Sequence, residues 1–125
     1  MLIWRSLCAV QFFVVLIVFT YLGLTPHPEN SVPMFNDKIM HSTGYFIAAF
    51  SISFAFPRWQ FLYRAIFLIV FSICIEIGQH FLPPRTFDFY DICANSVGVI
   101  TGLLVVTMLE IKLQWFKRFI HLSQQ

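Results

Sequence analysis

A chain of 125 residues that is 58% hydrophobic and only 11% charged, with a mean hydropathy of +0.76, is too oily for a soluble domain of its length. Soluble chains carry about a quarter charged residues. The small formal charge of +2 is spread over eight Lys and Arg and six Asp and Glu, and no nucleic-acid partner is expected. The composition predicts an all-α, polytopic integral membrane protein.

The first apolar run covers roughly residues 7–24, close to the ~20 residues that a ~30 Å hydrocarbon core requires. A short basic start precedes it, as in a signal peptide, but the run is longer than an h-region and no small-x-small site precedes Pro26. It is expected to stay as a membrane helix. Turn chemistry over 25–33, rich in Pro, His, Asn and Ser, separates it from a second run at 39–56. The break at 57–60 (Pro57, Arg58, Trp59, Gln60) is the tightest, so the second and third runs should form an antiparallel hairpin. The third run spans 61–82, the Pro83-Pro84-Arg85 break follows, and the fourth spans 92–109. The expected architecture is therefore a single domain over 1–125, a four-transmembrane-helix bundle with a short amphipathic C-terminal tail over 110–125. In that tail Gln114, Lys117, Arg118, His121 and Gln125 share a face opposite Leu113, Trp115, Phe116, Phe119 and Ile120, a pattern suited to lying on anionic lipid.

In a four-span chain Arg5, Arg58, Arg64, Lys112, Lys117 and Arg118 fall on one side and Lys38 and Arg85 on the other. The positive-inside rule then puts both termini in the cytoplasm and the first and third loops outside.

Cys8, Cys74 and Cys93 lack paired spacing and read as small packing residues. His27, His41, His80 and His121 lack a His-x-x-x-His spacing, and the chain has neither a Gly-rich nucleotide loop nor a Gly-x-Ser-x-Gly elbow. No metal and no cofactor is expected.

What stands out is polar chemistry inside apolar runs, which is costly and therefore a functional-site hypothesis by default. Asp37, His41 and Tyr45 recur at i, i+4, i+8 beside Lys38, with Gly44 and Ala48 as a small-residue strip. Asp37 can equally serve as a helix N-cap. Glu76, Gln79 and His80 share a face of the third run, and Glu76 lies about six residues, roughly 9 Å, inside its end. Arg85, then Lys38 or His41, is the cation expected to meet Glu76; a purely structural ion pair is the competing reading. On the fourth run Asp88 and Asp91 have N-cap and N3 spacing. Asn95 continues the Asp91 stripe, too deep for a cap, and should bond across to Glu76 or Gln79, while Gly98 and Gly102 admit a close neighbouring backbone.

The order Asp37-Lys38, His41, Tyr45, Glu76-x-x-Gln79, Pro84-Arg85-x-x-Asp88-x-x-Asp91-x-x-x-Asn95-x-x-Gly98-x-x-x-Gly102 resembles the VanZ-like family, named for a teicoplanin-resistance protein. The resemblance runs from Asp37 to Gly102, and its four-helix layout extends over nearly the whole chain. It implies a small multi-pass protein of the bacterial inner (plasma) membrane and cell envelope in which these positions are the characteristic polar set. It implies no settled reaction, and the extended extracellular loop or extra domain of longer members is not expected here.

Two functions of different classes follow. In the first, the outward-facing polar site binds a membrane lipid headgroup, a lipid-linked molecule or an amphiphilic drug, with Asp37, Lys38, Tyr45, Gln79, Arg85, Asp88 and Asn95 as binding residues. In the second, the protein is a membrane-embedded enzyme acting on a lipid-linked substrate. Glu76 or Asp91 would then be the general acid or base, His41 a proton shuttle, and Arg85 with Lys38 the anchor for phosphate or carboxylate. The first asks for fewer roles. A transporter would need a homo-oligomer to enclose a pathway.

Overall fold

The computed structural model describes residues 2–25, 37–83 and 86–121. Among them the chain is helical without a strand: α1 (Leu2–Leu24), α2 (Asp37–Ala55), α3 (Phe61–His80), α4 (Phe89–Lys112) and α5 (Gln114–His121). The first turn segment expected from the sequence, from Pro26 to Pro33, and Pro84 and Arg85 of the third lie outside the described residues.

Three helices are long and apolar enough to cross a membrane: Ile3–Leu24, Phe61–His80 and Phe89–Lys112. Helix α2 has 19 residues, sufficient in length. Asp37, Lys38, His41, Ser42, Thr43, Ser51 and Ser53 dilute its apolar character, so length and composition support three spans rather than four. Its surroundings explain the polarity. Tyr45, Ala48, Ala49, Ser51, Ile52 and Ser53 are all buried, against α1 on one side and α4 on the other. Helix α1 instead turns Ile3, Leu7, Val10, Val14, Ile17 and Tyr21 outward, a stripe at heptad spacing suited to lipid, and buries Phe12.

Lipid tails are as apolar as the side chains they touch, so the bundle is held by close packing and interhelical hydrogen bonds rather than by water exclusion. The tightest packing is between α2 and α4. A Cβ placed on Gly98 would collide with the Ser42 carbonyl oxygen, and one on Gly102 would lie 2.7 Å from Ala49 Cβ and 2.8 Å from the Phe46 oxygen. The glycine face therefore receives the α2 backbone. Phe12, Tyr45, Ala48, Ala49, Ile52, Ala65, Leu68, Val99 and Leu103 form the core behind it. Gln11 ties α1 to α2: its Oε1 accepts from Ser51 Oγ at 2.7 Å and its Nε2 donates to Ser51 O at 3.0 Å. A short turn joins α2 to α3, with Trp59 N donating to Phe56 O at 3.0 Å.

Three helices start earlier than the apolar runs, while α2 and α3 end one and two residues short of them. Helix α1 starts at Leu2, α2 at Asp37 and α4 at Phe89, and α4 continues to Lys112. Polar residues at the bundle ends stay helical because their long side chains reach outward while the backbone remains hydrogen-bonded. Helix α3 stops at His80, ahead of Pro83. The tail breaks at Leu113, whose extended φ −119°, ψ 93° separates α5 from α4. Rather than presenting its whole apolar face to lipid, α5 packs part of it on the bundle: Phe119 lies 5.0 Å from the Trp4 ring and 5.8 Å from Phe54, and Ile120 is fully buried.

Candidate functional site

The first two turns of α2, the last turns of α3 and the start of α4 meet at one end of the bundle. Asp88 caps α4, its Oδ1 accepting from Tyr90 N at 2.7 Å, and Asp91 stands three residues on, within the first turn, where the helix dipole favours a carboxylate. Lys38 reaches across from α2. Its ammonium donates to Asp88 Oδ2 at 2.6 Å and to Asp91 Oδ1, and lies 3.9 Å from Asp37 Oδ2. The Lys38 contact, and then the Tyr90 amide, hold the Asp88 carboxyl below its ordinary value.

His41 lies one turn deeper than Asp37. Its Nε2 is 3.7 Å from Asp37 Oδ1 and 3.6 Å from Asp91 Oδ2, while Nδ1 is 3.0 Å from Asn95 Oδ1. Asn95 Nδ2 donates to Ser72 Oγ at 2.7 Å, and Ser72 also bonds the Tyr45 side chain. With the amide so oriented, Asn95 Oδ1 accepts from His41 Nδ1, and Nε2 is left facing the two carboxylates. Asp37 and Asp91 are each divided in the same way, one oxygen toward Lys38 and the other toward His41. The rim is open and the floor closed: side-chain exposure is 57% at Asp37 and 38–39% at Asp88 and Lys38, but 10% at Asp91, and Asn95 and Glu76 are buried. Glu76 lies beneath the α4 cap, with Oε2 3.5 Å from the Asp88 amide.

The sequence stripes thus place Asp37, Lys38, His41, Asp88, Asp91 and Asn95 in one network, with Tyr45 joined to it through Ser72 and Glu76 alongside. Other assignments differ. Asn95 bonds His41 and Ser72 rather than Glu76 or Gln79. Gln79 turns from the network and donates to Gly23 O at 2.9 Å, satisfying a carbonyl in the last turn of α1 that has no intrahelical partner. His80 is exposed, its ring 5.5 Å from Phe81. Arg85 lies outside the described residues. Ser72, which orients Asn95, is a site residue absent from the sequence reading.

The fold also brings together three residues that could hold a metal ion, a grouping the sequence did not indicate. Asp37, His41 and Asp91 each offer one ligand atom within 4.8 Å of the others, an oxygen and nitrogen set that suits several divalent cations. Histidine spacing alone does not reveal it, because two of the three residues sit at i, i+4 on α2 and the third comes from α4. Lys38 bridges the remaining oxygens of both carboxylates, so an ammonium already supplies part of the positive charge there.

The model of the VanZ/LLP1 family matches residues 9–110, a stretch that contains the whole network. An uncharacterized protein of Schizosaccharomyces pombe is 33% identical over 98 residues, which are 75% of this chain and 59% of that protein. The chain therefore spans less than two thirds of this relative's length. No solved structure matches the chain.

Proposed function

The chain belongs to the VanZ/LLP1 family, and from that premise we propose that it is a four-span membrane protein whose polar end binds a lipid headgroup or a comparable amphiphile at the bilayer surface. One observation carries the proposal. Charged groups of both signs form a half-exposed rim over a buried, hydrogen-bonded floor, and intramembrane ionisable residues mark such sites. Lys38 would take the headgroup's phosphate, and Asp37 or Asp88 an amine carried by the same headgroup. α2 is the fourth span in this reading, its polar atoms covered by α1 and α4. The basic residues of the opposite end support a placement with both termini in the cytoplasm of a bacterial plasma membrane.

Native mass spectrometry of protein extracted with its own lipids tests the binding. A retained lipid class that is lost from Lys38→Met, while folded yield persists, supports it; identical lipid complements in both proteins would sink it. Alkaline phosphatase fusions test topology, active after Asn30 and silent after Trp59 and Gln125.

A second reading is favoured by the Asp91–His41–Asn95 arrangement. His41 Nε2 faces the rim and carboxylates while Nδ1 is held, a disposition suited to moving a proton during acid–base chemistry on a lipid-linked substrate. Asp91 and Glu76 would be its acid or base partners. Incubating purified protein with the co-purifying lipid separates the readings. Headgroup release or transfer that His41→Ala abolishes makes the protein an enzyme; unchanged lipid leaves it a binder. Altered glycopeptide susceptibility of cells carrying the protein would be a separate phenotype to score beside both outcomes.

A further inference from the structure

Away from the polar network, the α2–α3 turn and the lipid-facing side of α3 enclose a groove of about 770 Å³, within the ~300–1,000 Å³ of small-molecule sites. We propose that this groove is a binding site for one anionic phospholipid in the leaflet at that end of the bundle, its phosphate on Arg58 and one acyl chain along α3.

Dimensions come first. The lining runs from Arg58 at the mouth to Phe71 at the far end. From Gln60, the N-cap of α3, to Phe71 is eleven residues, about 16 Å at 1.5 Å per residue. Half of a ~30 Å hydrocarbon core is ~15 Å, so the groove has the depth of one leaflet. Tyr63, Phe67 and Val70 recur along it at helical spacing and are exposed, forming one apolar wall. Trp59 makes the other. Its indole stacks on Phe56 with centroids 4.6 Å apart and meets Phe67 edge-on at 5.9 Å, which fixes the ring at the level where interfacial tryptophans sit.

Charge at the mouth selects the headgroup. The lining contains a cation and no carboxylate, and Arg58 is exposed and forms no ion pair with a described residue. The neighbouring cation, Arg64, does not compete: it is buried and donates to Pro57 O at 2.8 Å and Ser53 Oγ at 3.3 Å. A guanidinium free to pair with phosphate in two parallel hydrogen bonds is the complement of an anionic lipid.

The test uses the full chain with Trp4→Phe and Trp115→Phe, leaving Trp59 as the sole indole, reconstituted in phosphatidylcholine bilayers. A small equal fraction of either phosphatidylglycerol or phosphatidylcholine carrying dibrominated chains is added. The brominated phosphatidylglycerol should quench Trp59 about fivefold more effectively, the selectivity expected of one interfacial basic residue. Arg58→Gln should make the two lipids equal, and Val70→Phe, which narrows the groove, should weaken quenching by both. Equal quenching in the parent means ordinary bulk lipid and overturns the site, as does a preference that survives Arg58→Gln. Native mass spectrometry of the unmodified chain from mixed bilayers provides a check independent of the tryptophan substitutions. A retained phosphatidylglycerol adduct lost with Arg58→Gln supports the assignment, and equal adducts in both proteins reject it.

Discussion

Each end of the bundle draws a basic side chain toward its interior, and the two are held by different kinds of partner. Arg64 is 6% exposed, and its guanidinium donates to a turn carbonyl and a serine hydroxyl within Coulombic reach of Glu110. These partners are neutral, or fixed by the backbone of the α2–α3 turn, so the arrangement has one state. Lys38 is 39% exposed and lies among three carboxylates, two of which keep an oxygen directed at His41. Its partners are charged, and two of them, Asp37 and Asp88, are open to water. The contrast teaches that burial of a cation marks a brace where its acceptors belong to the fold, and a site where they are side chains shared with a second group.

Gly98→Leu is the harshest test, because it pushes α2 from α4 beside Ser42, next to the network, while leaving the Arg64 end untouched. Folded yield by fluorescence-detected size exclusion should fall nearly to zero; a normal yield would mean that α2 and α4 are not in backbone contact. Next, Arg64→Met should destabilise the fold by about 2 kcal/mol, since it leaves the Pro57 carbonyl and the Ser53 hydroxyl without their donor, and, because it also removes the positive charge within Coulombic reach of Glu110, Glu110→Gln should restore part of that loss. Thermal unfolding in detergent reads both, and an unchanged midpoint for Arg64→Met would erase the distinction between the ends. Lys38→Met should cost about 1 kcal/mol or less, as partly exposed pairs do, yet remove lipid retention. A large stability loss with retained lipid would invert the comparison.

The smallest effect concerns pH. Because the Asp88 carboxyl is held below its ordinary value, it remains charged at pH values where an unfolded Asp, near 3.9, has begun to protonate. Its contribution is fully present above the unfolded value and is lost as pH falls through the depressed folded one. Asp88→Asn keeps a competent cap but removes this acid limb. Unfolding midpoints of the two proteins should therefore differ at neutral pH and converge in strong acid; parallel curves throughout would show that Asp88 gains nothing from Lys38.

Much of this was legible in the sequence because membrane composition is a strong signal and helical spacing puts residues on faces. The Asp37, His41, Tyr45 and Asp88, Asp91, Asn95 stripes could be read without coordinates, and Gly98 with Gly102 announced a close backbone. Partners across helices could not be read. Ser72 is a lone hydroxyl in an apolar run and gives no periodic signal, and the partner of Gln79 is a carbonyl of Gly23, which every residue type carries. Helix α2 resisted for the opposite reason. Its length suggested a span, but its polarity is intelligible only once α1 and α4 are seen around it.

That enclosure has a consequence for how the protein is made. Helix α2 emerges from the ribosome before α3 and well before α4, yet the glycine face that seats its backbone belongs to α4. Until that face arrives, the nascent chain must hold a segment too polar to partition alone into lipid. If α2 is the fourth span proposed above, insertion is completed out of chain order, with the last long helix drawing an earlier one into place. With the three native cysteines replaced by Ser and a single thiol introduced by Ala48→Cys, a ribosome-stalled chain ending before Phe89 should leave that thiol open to water-borne reagents, and one extended past Lys112, with its C-terminus clear of the insertion machinery, should not.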